Sequence, residues 1–305
     1  MVGDYTLHEK VYNAQNWNSF NFDGNTFVYM NYTDGYLYVS RNGHLGEAKK
    51  LVYTGFTESV YVDGDYAYYV NQETQDIYKV NLSTGSQSVF CSAKSNVYRQ
   101  LICRDSGNTY YRENLFDDYG YLSETRIYKV NSFGSQSVLR SESTGIPSSI
   151  YVNDGYLAYL NGENYYCTVD MGNGYYGCAT IEGEQYYGTF GDWIYTGEVV
   201  GEGKIRIHKT NVDEMYYTET VQTIQFDEYP IIMVYDGVVA ATTSTGAGAG
   251  FATYENGVAS NVWRDAIGET MPSPYAGYCN GTIITSTSYS FNGKFSGFVN
   301  FYKLR

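Results

Sequence analysis

An internal repeat constrains this chain more than any other feature. Ile77-Tyr-Lys-Val-Asn81 recurs as Ile127-Tyr-Lys-Val-Asn131, and each copy is followed by Gly-Ser-Gln-Ser-Val, at Gly85 to Val89 and at Gly134 to Val138. A second match pairs Ser59-Val-Tyr-Val-Asp-Gly-Asp-Tyr66 with Ser149-Ile-Tyr-Val-Asn-Asp-Gly-Tyr156. A chain that repeats at long period builds its core by stacking like units, each too small to bury its own apolar faces.

The copy over residues 57–92 can be parsed by turn chemistry. Thr57 to Val62 alternates as a strand, Asp63-Gly64 supplies a tight hairpin turn, and Tyr66 to Asn71 returns. Gln75 to Leu82 is a third strand, Ser83-Thr84-Gly85 turns again, and Ser86 to Cys91 is the fourth. The unit is a four-stranded antiparallel meander. Its first turn recurs at Asp23-Gly24, Asp63-Gly64, Asp105-Ser-Gly107, Asp154-Gly155, Gly191-Asp192, Asp236-Gly237 and Asn280-Gly281, with glycines 40, 43, 48, 36, 46 and 44 residues apart. A four-stranded unit with a period of about 40 to 50 residues is the signature of a β-propeller blade. The expected fold is therefore all-β, a single β-propeller domain over residues 1–305 with seven four-stranded blades, and six as the alternative.

The last copy supplies strands around Asn280-Gly281 and a third at Phe298 to Leu304, where Phe301-Tyr-Lys-Leu304 echoes Ile77-Tyr-Lys-Val80. Its fourth strand is missing, while Tyr5 to Tyr12 precedes the first copy and belongs to no unit. Residues 5–12 are therefore expected to form the outer strand of the last blade and close the ring, removing open sheet edges.

Composition agrees and narrows the partners. The 37 Tyr and 14 Phe, with 33 Gly and 4 Pro, suit half-buried strands joined by glycine turns. With 33 acidic against 19 basic residues, a formal charge of -14 argues against nucleic acid and anionic membrane surfaces. No run of 18 apolar residues occurs and the N-terminus lacks an apolar signal region, so no membrane insertion is expected. The compartment stays open between cytoplasm, a particle surface and a trimmed secreted protein. Cys91, Cys103, Cys167, Cys178 and Cys279 form an odd, scattered set without C-x-x-C. They read as small buried hydrophobes rather than a zinc site or disulfide framework.

Residues 62–71, Val-Asp-Gly-Asp-Tyr-Ala-Tyr-Tyr-Val-Asn, leading to Asp-Ile-Tyr-Lys-Val-Asn-Leu-Ser-Thr-Gly at 76–85, resemble bacterial β-propellers of the domain-of-unknown-function 5050 type. Those are distantly similar to the YWTD propellers of lipoprotein receptors. The resemblance covers residues 57–92 and 98–161, and the YWTD tetrapeptide itself is absent. It implies a non-catalytic interaction or ligand-binding propeller and brings no catalytic residues.

In a propeller, loops between blades share a face with those joining the second and third strands. There the third copy has the longest connection, Glu113-Asn-Leu-Phe-Asp-Asp-Tyr-Gly-Tyr-Leu-Ser-Glu124. An insertion on a rigid scaffold is where function tends to sit. Phe116, Tyr119 and Tyr121 beside Asp117 and Asp118 suit stacking on sugar rings and accepting hydroxyl hydrogen bonds; the alternative is a loop packed on its neighbour. Trp17, entering the first blade, and Trp263, before the stretch from Asp265 to Pro274, are further candidates for this face, or wedges between blades. Glu58, Glu73, Glu113, Asp117, Asp118, Glu124, Glu142, Glu182, Glu184, Glu198, Glu202, Asp227, Glu228, Asp265 and Glu269 fall there too, with few Lys or Arg. Such carboxylates can hold Ca²⁺ or attract a basic partner, but without an Asp-x-Asp-x-Asp-Gly loop they read first as a solvated rim, and no cofactor is expected.

Catalytic signatures are weak. His8, His44 and His208 occupy different kinds of position, and no metalloprotease, nucleophile-elbow, phosphate-loop or dinucleotide motif occurs. Thr245-Gly-Ala-Gly-Ala-Gly250 reads as a flexible hairpin loop. The expected function is non-catalytic binding of a protein partner or a surface. A glycan-binding propeller is the alternative, and a glycan-cleaving enzyme the second alternative.

Overall fold

The computed structural model describes residues 5–12, 17–23, 26–31, 34–41, 48–143, 148–153, 155–160, 165–172, 174, 176–180, 184–190, 193–211, 217–225, 230, 232–235, 237–245, 248–255, 258–263, 276–279, 282–291 and 294–304. Strand β1 (Tyr5–Tyr12) is followed by a first sheet of β2 (Trp17–Asp23), β3 (Thr26–Asn31), β4 (Tyr36–Ser40) and β5 (Lys49–Tyr53). The second holds β6 (Val60–Asp63), β7 (Tyr66–Val70), β8 (Ile77–Asn81) and β9 (Gln87–Cys91). The third holds β10 (Val97–Asp105), β11 (Asn108–Phe116), β12 (Leu122–Val130) and β13 (Gln136–Glu142). The fourth is β14 (Ser148–Asn153), β15 (Tyr156–Leu160), β16 (Tyr165–Asp170) and β17 (Tyr176–Thr180). The fifth is β18 (Gln185–Phe190), β19 (Trp193–Gly201), β20 (Lys204–Asn211) and β21 (Thr218–Gln225). The sixth is β22 (Ile232–Tyr235), β23 (Val238–Thr245), β24 (Gly248–Glu255) and β25 (Val258–Trp263).

The last sheet contains β26 (Ala276–Cys279), β27 (Thr282–Phe291) and β28 (Lys294–Leu304), with β1 as its fourth strand. Strand β1 runs antiparallel to β28, with Tyr5 opposite Leu304 and Tyr12 opposite Phe298. Among the described residues every strand pairing is antiparallel and there is no helix.

The chain divides into two compact units. One comprises Asn13–Val152 and Tyr159–Glu163; the other comprises Met1–Tyr12, Asn153–Ala158 and Asn164–Arg305. In the first unit, strand β7 shows why the sequence is so rich in tyrosine. Its alternate residues Ala67 and Tyr69 enter a core with Val28, Leu37 and Val39 of the first sheet, while Tyr68 and Val70 pack with Leu101, Tyr111 and Tyr128 of the third. Both faces are buried, so the strand is apolar throughout rather than alternating.

Tyrosine adds a hydroxyl that leucine lacks. Tyr29 stacks on its cross-strand partner Tyr38 at 5.1 Å, Tyr69 on Tyr78 at 5.5 Å and Tyr111 on Tyr128 at 4.9 Å, the same pairing in three successive sheets. The Tyr69 and Tyr111 hydroxyls each donate at 2.9 Å to a glutamine on the fourth strand, Gln87 and Gln136. Stacked pairs of this kind contribute about 0.5–1.5 kcal/mol beyond burial. Polar ties bind adjacent sheets as well: Val62 N donates to Asn21 Oδ1 at 2.9 Å and Gly64 N to Asp23 Oδ2 at 2.7 Å. The Arg104 guanidinium pairs with Asp63 and lies 4.1 Å from the Tyr68 ring centroid.

In the second unit, Tyr187, Tyr195, Ile205, Ile207 and Ile224 pack against Val239, Ala241 and Tyr254 of the next sheet. The glycine-rich stretch read as a loop is mostly strand there. Thr245 pairs with Gly248 and Thr243 with Gly250, because glycines keep the backbone groups that a ladder needs. Among the described residues no helix is long and apolar enough to cross a membrane.

Candidate functional site

The connection from Glu113 to Glu124 differs from the insertion expected. Strand β11 continues to Phe116 and β12 begins at Leu122, so the turn proper is residues 117–121. The hairpin is long because its polar residues pair across the strands. Arg99 on β10 stands opposite Glu113 on β11, and Arg99 Nε donates to Glu113 Oε2 at 2.7 Å with both side chains almost fully buried. Asn114 stands opposite Thr125, whose hydroxyl donates to Asn114 Oδ1 at 3.1 Å.

Arg99 also ties this hairpin to the second sheet. Its Nη1 donates to the Cys91 carbonyl at 3.3 Å, its backbone N–H donates to Gln75 Oε1 at 2.7 Å, and its guanidinium lies 4.8 Å from the Tyr111 ring centroid. Burial alone would make the guanidinium easier to deprotonate, but the Tyr111 hydroxyl, Glu113 and Cys91 around it raise its basicity above the ordinary arginine value. Gln75 adopts φ 62°, a left-handed conformation uncommon outside glycine, in the turn that presents its amide to Arg99.

On this base the turn is fixed by Asp117. Its Oδ1 accepts the N–H groups of Tyr119 at 2.9 Å and Tyr121 at 2.8 Å, and its own N–H donates to the Tyr121 carbonyl at 2.9 Å. Gly120 takes φ 82°, with its N–H on the Asp117 carbonyl at 3.0 Å. Phe116 is half-buried, with its N–H on the Asn96 carbonyl at 3.1 Å. Tyr119 is 86% exposed and Tyr121 72% exposed, while Asp118 also faces solvent. Asp117 thus serves the turn, and the two phenol rings are what the turn displays.

Five of the predicted residues come together in this one hairpin, Phe116 at the end of β11 and Asp117, Asp118, Tyr119 and Tyr121 in the turn. Trp17 opens β2 opposite Asn31, and Trp263 ends β25 opposite Gly250 in the other unit; their side chains, and the stretch from Asp265 to Pro274, lie outside the described residues. Sequence reading missed Phe56, which is 56% exposed in the β5–β6 connection. That connection reaches the same end of the third sheet, since Glu58 accepts a hydrogen bond from the Tyr98 hydroxyl at the start of β10. Burial and the Glu58 carboxylate push Tyr98 up to about 12. A single phenylalanine in a short connection carries no signal that separates exposed from buried.

Four carboxylates of the expected acidic rim are paired with arginines. Glu113 is buried against Arg99, Glu124 pairs with Arg126 at 2.5 Å, Glu142 with Arg140 at 2.7 Å, and Glu198 with Arg206 at 3.1 Å. These carboxylates lie on strands, where a basic residue sits within reach on the same or the next strand. Among the described residues no three His, Cys, Asp or Glu side chains gather as a cation site. His208 lies on β20 beside Glu198, at 3.2 Å, and His8 on β1.

Similarity to solved structures bears on the fold. An oligogalacturonate lyase in complex with manganese aligns over 99% of this chain and 91% of its own at 16% identity and a TM-score of 0.64. An oligogalacturonate lyase from Vibrio parahaemolyticus aligns over 98% of both chains at 14% identity and 0.63. The WD40 β-propeller domain of Doa1 aligns over 99% of this chain and 97% of its own at 13% identity and 0.60. The fold is a β-propeller. No protein-family model matches the sequence, and no curated protein does either. At these identities the likeness is one of fold and carries no activity.

Proposed function

We propose that the chain is a non-catalytic binding propeller of seven blades, with Tyr5–Tyr12 as outer strand of the last, that takes a protein partner on the β11–β12 turn. The antiparallel register of β1 on β28 and the seven repeated turns support the architecture, and so does the resemblance of residues 57–92 and 98–161 to the domain-of-unknown-function 5050 propellers. The observation that carries the binding role is the display of Tyr119 and Tyr121 at 86% and 72% exposure on a turn locked by Asp117. Rigid aromatic anchors lose little entropy on binding and dominate interface energetics. The paired state of Glu113, Glu124 and Glu142 favours recognition by these rings over recognition by a general acidic surface.

A glycan is the second reading, favoured by the exposed Asp118 next to Tyr119 in a turn whose phenol rings can stack on a sugar face. One variant, Tyr119→Ala with Tyr121→Ala, tests both. Binding to a glycan array, with and without Ca²⁺, that this variant loses establishes the glycan reading. A clean array, with a specific protein captured from source cells by the parent and not by the variant, establishes the protein partner. Capture unchanged by the variant sinks the assignment of the site. Turnover of oligogalacturonate or another glycan would overturn the non-catalytic reading altogether.

A further inference from the structure

The five cysteines look scattered in the sequence, but the register of the fourth sheet brings two of them into opposition. Strands β16 and β17 are antiparallel, with Tyr166 opposite Ala179, Cys167 opposite Cys178 and Thr168 opposite Gly177. Directly opposed residues of an antiparallel pair lie on one face of the sheet. Their Cα atoms are about 4.5 or 5.5 Å apart, according to whether the pair is non-hydrogen-bonded or hydrogen-bonded. Both separations fall inside the span of about 4.4–6.8 Å that a disulfide bridges without moving the backbone.

Hydrogen bonds tie down the described residues that follow β16. Asp170 Oδ1 accepts the Gly172 N–H at 2.7 Å, the Asp170 carbonyl accepts the Gly174 N–H at 2.8 Å, and Met171 N–H donates to the Gly155 carbonyl at 2.9 Å. These bonds help hold the register, which keeps the two Cα atoms within bridging distance. Strand β17 is the terminal strand of its sheet in the order β14-β15-β16-β17, so a bond at this place would fasten an edge strand. Cys91 and Cys103 are free thiols elsewhere in the fold.

We infer that Cys167 and Cys178 form a cross-strand disulfide, a redox-dependent clasp between the third and fourth strands of the fourth sheet. The oxidant is a low-molecular-weight disulfide such as oxidised glutathione. One cysteine thiolate attacks a sulfur of that disulfide, forming a mixed disulfide and expelling one thiolate. The second cysteine thiolate then attacks the protein-side sulfur, forming the Cys167–Cys178 bond and expelling the other thiolate. The two expelled thiolates take up the protons lost by the two cysteines and carry away the electron pair, so the small disulfide is reduced to two thiols.

Met171 lies between the two cysteines, so chemical cleavage at methionine tests the bond directly. The full chain is reduced, desalted, exposed to oxidised glutathione, blocked with an alkylating reagent and cleaved. The expected result is that fragments 31–171 and 172–215 stay joined until reductant is added. They should remain joined in the Cys91→Ser, Cys103→Ser double variant and separate in Cys167→Ser. The intact protein should lose the mass of two hydrogen atoms. Separate fragments carrying alkyl groups or glutathione at Cys167 and Cys178, or a join that persists in Cys167→Ser, overturn the inference. The result on the unsubstituted chain stands whether or not each variant folds.

Discussion

Arg99 Nε lies 2.7 Å from Glu113 Oε2 across the β10–β11 ladder, with the two side chains at 2% and 3% exposure. An ion pair so deeply placed repays its desolvation only through close geometry, and removing one partner leaves the other charge stranded. Arg99→Met or Glu113→Ala alone is expected to cost about 3–5 kcal/mol in urea unfolding. Arg99→Met combined with Glu113→Leu should recover most of that loss. If each single variant unfolds at the same urea concentration as the parent, the pair is not the support described for the hairpin.

Removing residues 1–12 would strip β1 from β28 and expose a ladder that runs from Tyr5 opposite Leu304 to Tyr12 opposite Phe298. The truncated chain should melt well below the full chain and aggregate on heating, since an unpaired edge templates further pairing. Matching thermal transitions for the two chains would refute the closing role of that strand.

Acid sensitivity should be traceable to Glu124. The hydrogen bond from Arg126, then that from Ser141, holds its carboxyl below the usual carboxylate range, against a small opposing effect of burial. A carboxyl depressed in the folded state stabilises the fold fully above its unfolded pKa, about 4.3 for glutamate, and that contribution is lost as pH falls through the lower folded value. Glu124→Gln should therefore reduce stability at neutral pH, converge with the parent at low pH, and flatten the acid limb of the stability profile. Parallel profiles at all pH values would contradict this. Both side chains are partly exposed, at 25% for Glu124 and 30% for Arg126, so the effect should be modest.

Two equivalent turns distinguish backbone strain from crowding. Gly64 and Gly237 both take positive φ, 55° and 76°, in the turn after the first strand of their sheets. A Cβ at Gly64 would meet nothing within 4 Å, whereas one at Gly237 would stand 2.9 Å from Phe190 Cδ1. Asparagine tolerates the left-handed region better than most residues. Gly64→Asn should be nearly neutral, and Gly237→Asn should destabilise by about 1–3 kcal/mol, as overpacking does. Equal midpoints in denaturant would show that the contact between Gly237 and Phe190 yields freely.

The turns were the legible part of the sequence. Asp23-Gly24, Asp63-Gly64, Asp105 to Gly107 and their later equivalents each link the first two strands of a four-stranded sheet, because tight turns demand residues that few other positions do. The candidate site was legible only at its tip. Tyr119 and Tyr121 are exposed in the β11–β12 turn, but Glu113 read as an exposed acid when it is buried. Its partner Arg99 lies 14 residues away, and nothing short of strand register reveals that they face each other. The opposition of Cys167 and Cys178 was hidden for the same reason. Local composition fixes where a chain turns, while pairing between strands decides which charges and thiols meet.

Strand β7, with Ala67 and Tyr69 in one core and Tyr68 and Val70 in another, is answerable as a whole to two neighbouring sheets, and each of its residues to one. Within that unit, opening of the second sheet would uncover apolar surface on the first and the third together. Cooperativity in such an array passes from neighbour to neighbour, as in a one-dimensional lattice. A cavity made at Tyr69 should therefore quicken amide hydrogen exchange most strongly in the first and second sheets, and one made at Tyr68 in the second and third, so that a lesion declares which side of the strand it struck.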